Sequence, residues 1–229
     1  MTTPRTIFVT GASRGIGLEF VRQIASRGDR VIAAVRNPTK AAELRSLGDT
    51  VRVIQLDVTD QHSIESLRSG IGDVPIDAMI NNAGVSSTSK SIATLDGQEI
   101  ARVFAINSIA PMLVTRALLD NLRAGTRRVV FSITSQLGSI ANNTGGSTYA
   151  YRASKAALNQ LNRSLANELA GENFICVAVH PGWVRTDMGG PNAPLTPHDS
   201  VAAMLRTLDH LTAASNGQFL NYDGTPLPW

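Results

Sequence analysis

Along the chain, short unbroken runs of apolar and β-branched residues alternate with longer stretches in which apolar residues recur every three or four positions. The runs fall at residues 6–9, 30–35, 51–56, 76–80, 128–134, 174–179 and 218–221. Continuous apolarity over so few residues marks strands buried on both faces, as in a parallel sheet. Between them, Leu18, Phe20, Val21 and Ile24 share one face of a predicted helix, and another helix begins near residue 59. A long helical pattern over 97–122 carries Val103, Ile106, Ile109, Leu113, Leu118 and Leu122. A further helix opens at Tyr151 and runs through Leu158, Leu161, Leu165 and Leu169, and 197–211 places Val201, Met204, Leu205 and Leu208 together. Strands alternating with helices predict β-α-β units, hence an α/β fold around a parallel sheet. A chain of 229 residues supplies one core, so a single domain over 1–229 is expected.

Polar and glycine residues at the ends of these runs locate a crevice. The first run stops at Thr10, followed by Gly11, Gly15 and Gly17 at the start of the first helix. Gly11 permits a tight turn, Gly15 lets a ligand approach the backbone and Gly17 lets helix and strand pack closely, while the helix N-terminus offers free amides to a pyrophosphate. The second run ends in Arg36, where a dinucleotide fold reads the adenosine ribose. An acid there accepts from a free 2′-hydroxyl, whereas an arginine suits a 2′-phosphate. With Arg36 present, and Arg14 in the turn as a second guanidinium, NADP is favoured over NAD. The third run ends at Asp57 and Val58; Asp57 can cap the local turn or accept from an adenine amino group. The fourth ends at Asn81, Asn82, Ala83 and Gly84, small residues that again admit a ligand close to the backbone.

Tyr151 and Lys155 lie four apart on a helix and share one face, so phenol and ammonium can point into one cleft. A fixed cation favours phenolate and lowers the tyrosine pKa from about 10, which points to proton transfer. Asn107 falls inside the long helical pattern, where asparagine is mildly unfavourable and usually faces solvent. Cys176 and His180 do not pair as nucleophile and base, since four residues along a strand span roughly 13 Å. Cys176 therefore reads as core, and His62, His198 and His210 lack metal-ligand spacing, so no metal is expected.

The net charge of +3 comes from scattered arginines without a basic run, which excludes a nucleic-acid surface. The N-terminal apolar run is too short for a signal segment or a membrane span, and one cysteine fits a reducing compartment; a cytoplasmic protein is expected.

In order and separation, Thr10, Gly11, Gly15, Gly17, Asp57, Asn81 to Gly84, Asn107, Ser135, Tyr151, Lys155, Pro181, Gly182, Val184 and Thr186 resemble the motifs of the short-chain dehydrogenase/reductase family along nearly the whole chain. The resemblance implies a Rossmann-type domain with a mainly seven-stranded parallel sheet in order 3-2-1-4-5-6-7, helices on both faces, and carbonyl reduction reversible as alcohol oxidation. It implies that Tyr151 is the general acid, Ser135 holds the substrate oxygen, Lys155 binds the nicotinamide ribose and lowers the tyrosine pKa, and Asn107 positions a water for proton resupply. It also implies coenzyme contacts from Gly11, Ser13, Arg14, Gly15, Ile16, Gly17, Arg36, Asp57, Val58, Asn82, Ala83, Gly84, Tyr151, Lys155, Pro181, Gly182, Val184 and Thr186. Ser86, Ser87, Leu137, Asn143, Trp183 and Met188 are candidates for a substrate wall. The short segment 188–196 implies a shallow site with loose substrate demands. Within the family the chain is similar to Sniffer-like carbonyl reductases and to bacterial C-factor proteins, the latter implying a nucleotide-binding signalling role as the alternative. The family resemblance further implies a homodimer or homotetramer through the helices bearing Asn107 and Tyr151.

Overall fold

The structure is a computed structural model and describes residues 3–229. Seven parallel strands, β1 (Thr6–Thr10), β2 (Arg30–Val35), β3 (Val51–Gln55), β4 (Ala78–Asn81), β5 (Val129–Ile133), β6 (Ile175–His180) and β7 (Phe219–Asn221), form one sheet in the order β3-β2-β1-β4-β5-β6-β7. Around it lie α1 (Gly15–Ser26), α2 (Ala42–Arg45), α3 (Gln61–Glu65), α4 (Leu67–Ile71), α5 (Gly97–Phe104), α6 (Ala110–Ala117), α7 (Leu119–Ala124), α8 (Tyr149–Glu168) and α9 (Pro197–His210). The expected strand order is therefore observed, with strand ends displaced by one or two residues.

Successive strand residues feed opposite cores, which is why the runs are apolar throughout. Ile7 and Val9 join Phe20, Ile24, Met204 and Leu205 beneath α1 and α9. Phe8 between them joins Leu67, Val114, Leu118 and Leu169 on the other face. Each such fully buried side chain contributes about 1.5–3 kcal/mol relative to exposure.

The helical pattern over 97–122 is broken, contrary to the single long helix expected. A π turn, Ala105–Ile109, separates α5 from α6, and Leu118 (φ −106, ψ 12) separates α6 from α7. Pro111 explains the first break: an α-helix would require its N–H to meet the Asn107 carbonyl, and proline has none.

At the far edge of the sheet the chain turns back on itself. Asn221 N donates to Thr225 O and Leu227 N to Phe219 O, so the last residues pair with the outer edge of β7. Trp229 packs on Phe219 with ring centroids 5.4 Å apart, and its carbonyl accepts from Ala141 N (2.9 Å) and Ser139 Oγ (3.1 Å). The tail thus tethers the loop that follows β5.

Candidate active site

The crevice lies where strand order reverses, between β1 and β4, as the open-sheet rule requires. β1 runs into Gly11, whose φ of +64° suits glycine. A Cβ on Gly17 would come 2.2 Å from Gly11 O and 2.5 Å from Asn82 Nδ2, so the turn closes only around glycine. Arg14 caps α1 without a side-chain hydrogen bond, which leaves first-turn N–H groups open for phosphate oxygens. Asn82 braces the turn: Nδ2 donates to Thr10 O (3.0 Å) and Gly11 O (3.2 Å), while Thr10 Oγ1 accepts from the backbone of Asn82 and Ala83. These residues fit a dinucleotide pyrophosphate.

At the adenosine end, Arg36 is exposed just beyond β2. Asp57 Oδ1 accepts from Thr59 Oγ1 (2.6 Å) and Thr59 N (2.9 Å), the turn-capping role left open above. Those bonds first, and then the positive charge of Arg36, hold its carboxyl below the usual carboxylate range. Arg14 pairs with the segment after β6, its Nη1 2.5 Å from Asp187 Oδ2.

At the other end of the crevice, Tyr151 and Lys155 project from α8. Lys155 Nζ donates to Ile133 O (2.8 Å) and lies 5.9 Å from the Tyr151 ring centroid. It is 4% exposed, and burial pushes its pKa down to about 8. The expected lowering of Tyr151 is not the net result. Burial raises the phenol pKa, only partly offset by a hydrogen bond with Ser135, because removal from water penalises phenolate more than its neighbours favour it. Ser135 Oγ also accepts from Leu137 N (3.1 Å), which fixes the hydroxyl at the end of β5. Gly84 closes this group: a Cβ there would lie 3.3 Å from Asn107 Oδ1 and 3.7 Å from Lys155 Nζ.

Asn107 does not face solvent. It is wholly buried, with Oδ1 accepting from Val85 N (2.8 Å) and Nδ2 donating to Val85 O (2.9 Å) and Ser154 Oγ (3.0 Å). Its side-chain polar atoms are all engaged by protein groups, and Pro111 has no N–H to offer the Asn107 backbone carbonyl. Ser154 was missed in the sequence, yet it joins the Asn107 segment to α8 and also donates to Tyr151 O (2.8 Å). Ser108 Oγ adds a bond to Ser154 O (2.7 Å). Small polar residues on buried helix faces were the available signal. Thr134 Oγ1, bonded to Asn159 Oδ1 (2.7 Å), fastens α8 to the end of β5 in the same way.

The segment after β6 forms the third wall. His180 is buried and its pKa falls to about 4 by desolvation, so its imidazole is neutral near pH 7. Val184 is buried, and Thr186 faces Gly15, where a Cβ would meet Thr186 Cγ2 at 3.4 Å. Trp183 is exposed but fixed, with Nε1 donating to Gly189 O (2.7 Å); Met188, next to Gly189 in sequence, is also exposed. Of the other wall candidates, Leu137 is half-buried, Ser86 is exposed and Ser87 is buried, while Asn143 braces its own loop by accepting from Gly146 N. Cys176 is buried, its thiol pushed up to about 12, as its core placement predicts.

Comparison with known proteins identifies the family and fold to which this geometry belongs. The sequence model of the short chain dehydrogenases matches residues 5–194. The C-signal of Myxococcus xanthus is 50% identical over 155 residues, covering 68% of this chain and 93% of that protein. The carbonyl reductase Sniffer of D. melanogaster superimposes with a TM-score of 0.92 at 33% identity, covering 99% of this chain and all of that one. An NADPH-bound carbonyl reductase from chicken fatty liver gives a TM-score of 0.93 at 33% identity over the whole of both chains. The glycine turn, the β1–β4 crevice and the Tyr151–Lys155 helix thus sit on a chain that is an enzyme of the short-chain dehydrogenase/reductase family.

Proposed function

We propose that this enzyme reduces the carbonyl of a small aldehyde or ketone with NADPH, and runs reversibly as an alcohol dehydrogenase. The observation that carries the proposal is the convergence of Ser135, Tyr151 and Lys155 at one end of a crevice that also holds the open N-terminus of α1. Bound NADPH would supply the hydride to the carbonyl carbon. The chain's own groups orient the substrate and handle its oxygen. Ser135 holds that oxygen by a hydrogen bond, and Tyr151 delivers a proton to it as charge develops. A phenol whose pKa is raised stays protonated at neutral pH, as an acid must. Lys155, pinned by Ile133 O, places a cation beside the phenol ring and offers its remaining N–H groups to ribose hydroxyls. The Asn107 carbonyl would hold the water that returns a proton from solvent.

The NADP preference is supported by Arg36 at the end of β2 and by the nearby Arg14, and the chicken reductase carries NADPH. The half-exposed Ile109 and Leu161, on the helices carrying Asn107 and Tyr151, support pairing of copies through that face. A cytoplasmic location remains part of the same proposal. Titrating NADPH and NADH separately, followed by nicotinamide fluorescence, tests the coenzyme. Tighter NADPH is expected; equal affinities refute the arginine argument, and absence of both refutes the enzyme function proposed. A Tyr151→Phe protein should bind NADPH yet fail in turnover, and a signalling effect surviving that change would favour the C-factor-like alternative.

A further inference from the structure

We infer that Asp187 sets coenzyme selectivity by competing with the adenosine 2′-phosphate for Arg14. The inference deepens the NADPH proposal and rests on it. Arg14 sits between β1 and α1, and Ala12 N donates to Ala34 O (3.2 Å), which ties this turn to the end of β2. Arg36 lies two residues past Ala34, so one side of the turn borders the site for a 2′-phosphate. Asp187 belongs to the segment after β6, on the other side of β1 in the strand order. Its Oδ2 nevertheless takes Arg14 Nη1 at 2.5 Å, which holds the guanidinium to the segment after β6. Thr186, the preceding residue, already lies against Gly15, so the segment is held close enough for the pair to form without strain.

The pair is weak enough to break. Both side chains are largely exposed, 74% and 80%, where an ion pair is screened and held at an entropic cost. A dianionic 2′-phosphate with several acceptor oxygens is the stronger partner. Arg14 therefore turns to the coenzyme, but the Asp187 bond must be broken first, and that cost is subtracted from NADPH affinity alone. NADH, with a free 2′-hydroxyl, asks nothing of Arg14. Asp187 narrows the preference that Arg36 and Arg14 create.

The test is a set of dissociation constants for NADPH and NADH, at fixed ionic strength, with the wild type and with Asp187→Asn, Arg14→Gln, Arg36→Gln and the Asp187→Asn/Arg14→Gln double variant. Asp187→Asn should tighten NADPH by about two- to fivefold, the range of an exposed ion pair, with NADH unchanged. The gain should vanish in the Arg14→Gln background. A variant that weakens both coenzymes equally would make the pair a clasp over the shared pyrophosphate and overturn the competition; unchanged NADPH affinity would overturn it too. The parent proposal fails in a different place: wild-type protein with equal affinities, and an Arg36→Gln variant without effect on either coenzyme, would refute phosphate recognition before Asp187 is considered.

Discussion

The two ends of the crevice are built on opposite principles. At the nicotinamide end, Asn107, Ser154 and Lys155 are buried, and their polar atoms are tied to backbone or to one another. At the adenosine end, Arg14 and Arg36 stand in solvent, and Arg14 is held by one exposed carboxylate. Buried polar groups left unpaired cost far more than exposed ones. The buried polar cluster is consequently fixed by the fold itself, whereas the proposed coenzyme preference rests on two exposed side chains.

Substitutions at the two ends should therefore fail in different ways. The largest expected effect is Tyr151→Phe, which removes the proton donor: turnover should fall by about 10²–10⁴, the usual worth of a general acid, while NADPH binding measured by fluorescence persists. Asn107→Ala leaves both polar groups of the Val85 backbone without partners, and should destabilise the protein by about 1–3 kcal/mol in denaturant unfolding. A change confined to activity, with unfolding unaltered, would break the comparison. Arg36→Gln should weaken NADPH by about tenfold, one charge-assisted bond moderated by exposure, and leave the thermal midpoint and NADH affinity unchanged.

The last effect is one of pH. Lys155 has a folded pKa of about 8, below its ordinary 10.5. Between these values the unfolded chain holds a proton that the folded chain has released, so this group makes stability rise with pH across that window. Lys155→Met removes that contribution. Unfolding midpoints between pH 7 and 10 should show wild type gaining on the variant as pH increases; parallel curves would mean that the ammonium is not desolvated.

The sheet was legible because a doubly buried strand leaves little choice of residue. Ile7, Phe8 and Val9 serve two cores in turn and had to be apolar. The glycine turn was legible for a related reason, since no Cβ fits at Gly17. What escaped was polar structure inside helices. Periodicity registers which residues are apolar, and it is blind to whether an asparagine points inward, so the Asn107 bonds to Val85 and Ser154 were not legible and Ser154 was not noticed. Nor does periodicity detect the wide turn at Ala105–Ile109, although Pro111 carried its cause. The raised Tyr151 pKa was missed because residue spacing reports a nearby cation without reporting the loss of water around the phenol.

The folded-back tail has a bearing on how copies of the chain can assemble. With Leu227 N bound to Phe219 O and Asn221 N to Thr225 O, the outer edge of the last strand is already engaged by the residues that follow it. Continuous sheets across a two-fold axis, edge to edge at β7, would first require peeling those residues away. That would also release the loop following Ser135 from the Trp229 carbonyl. Any association through this edge would thereby be coupled to the order of the loop after β5, whereas association through the helices carrying Ile109 and Leu161 would leave that loop tethered.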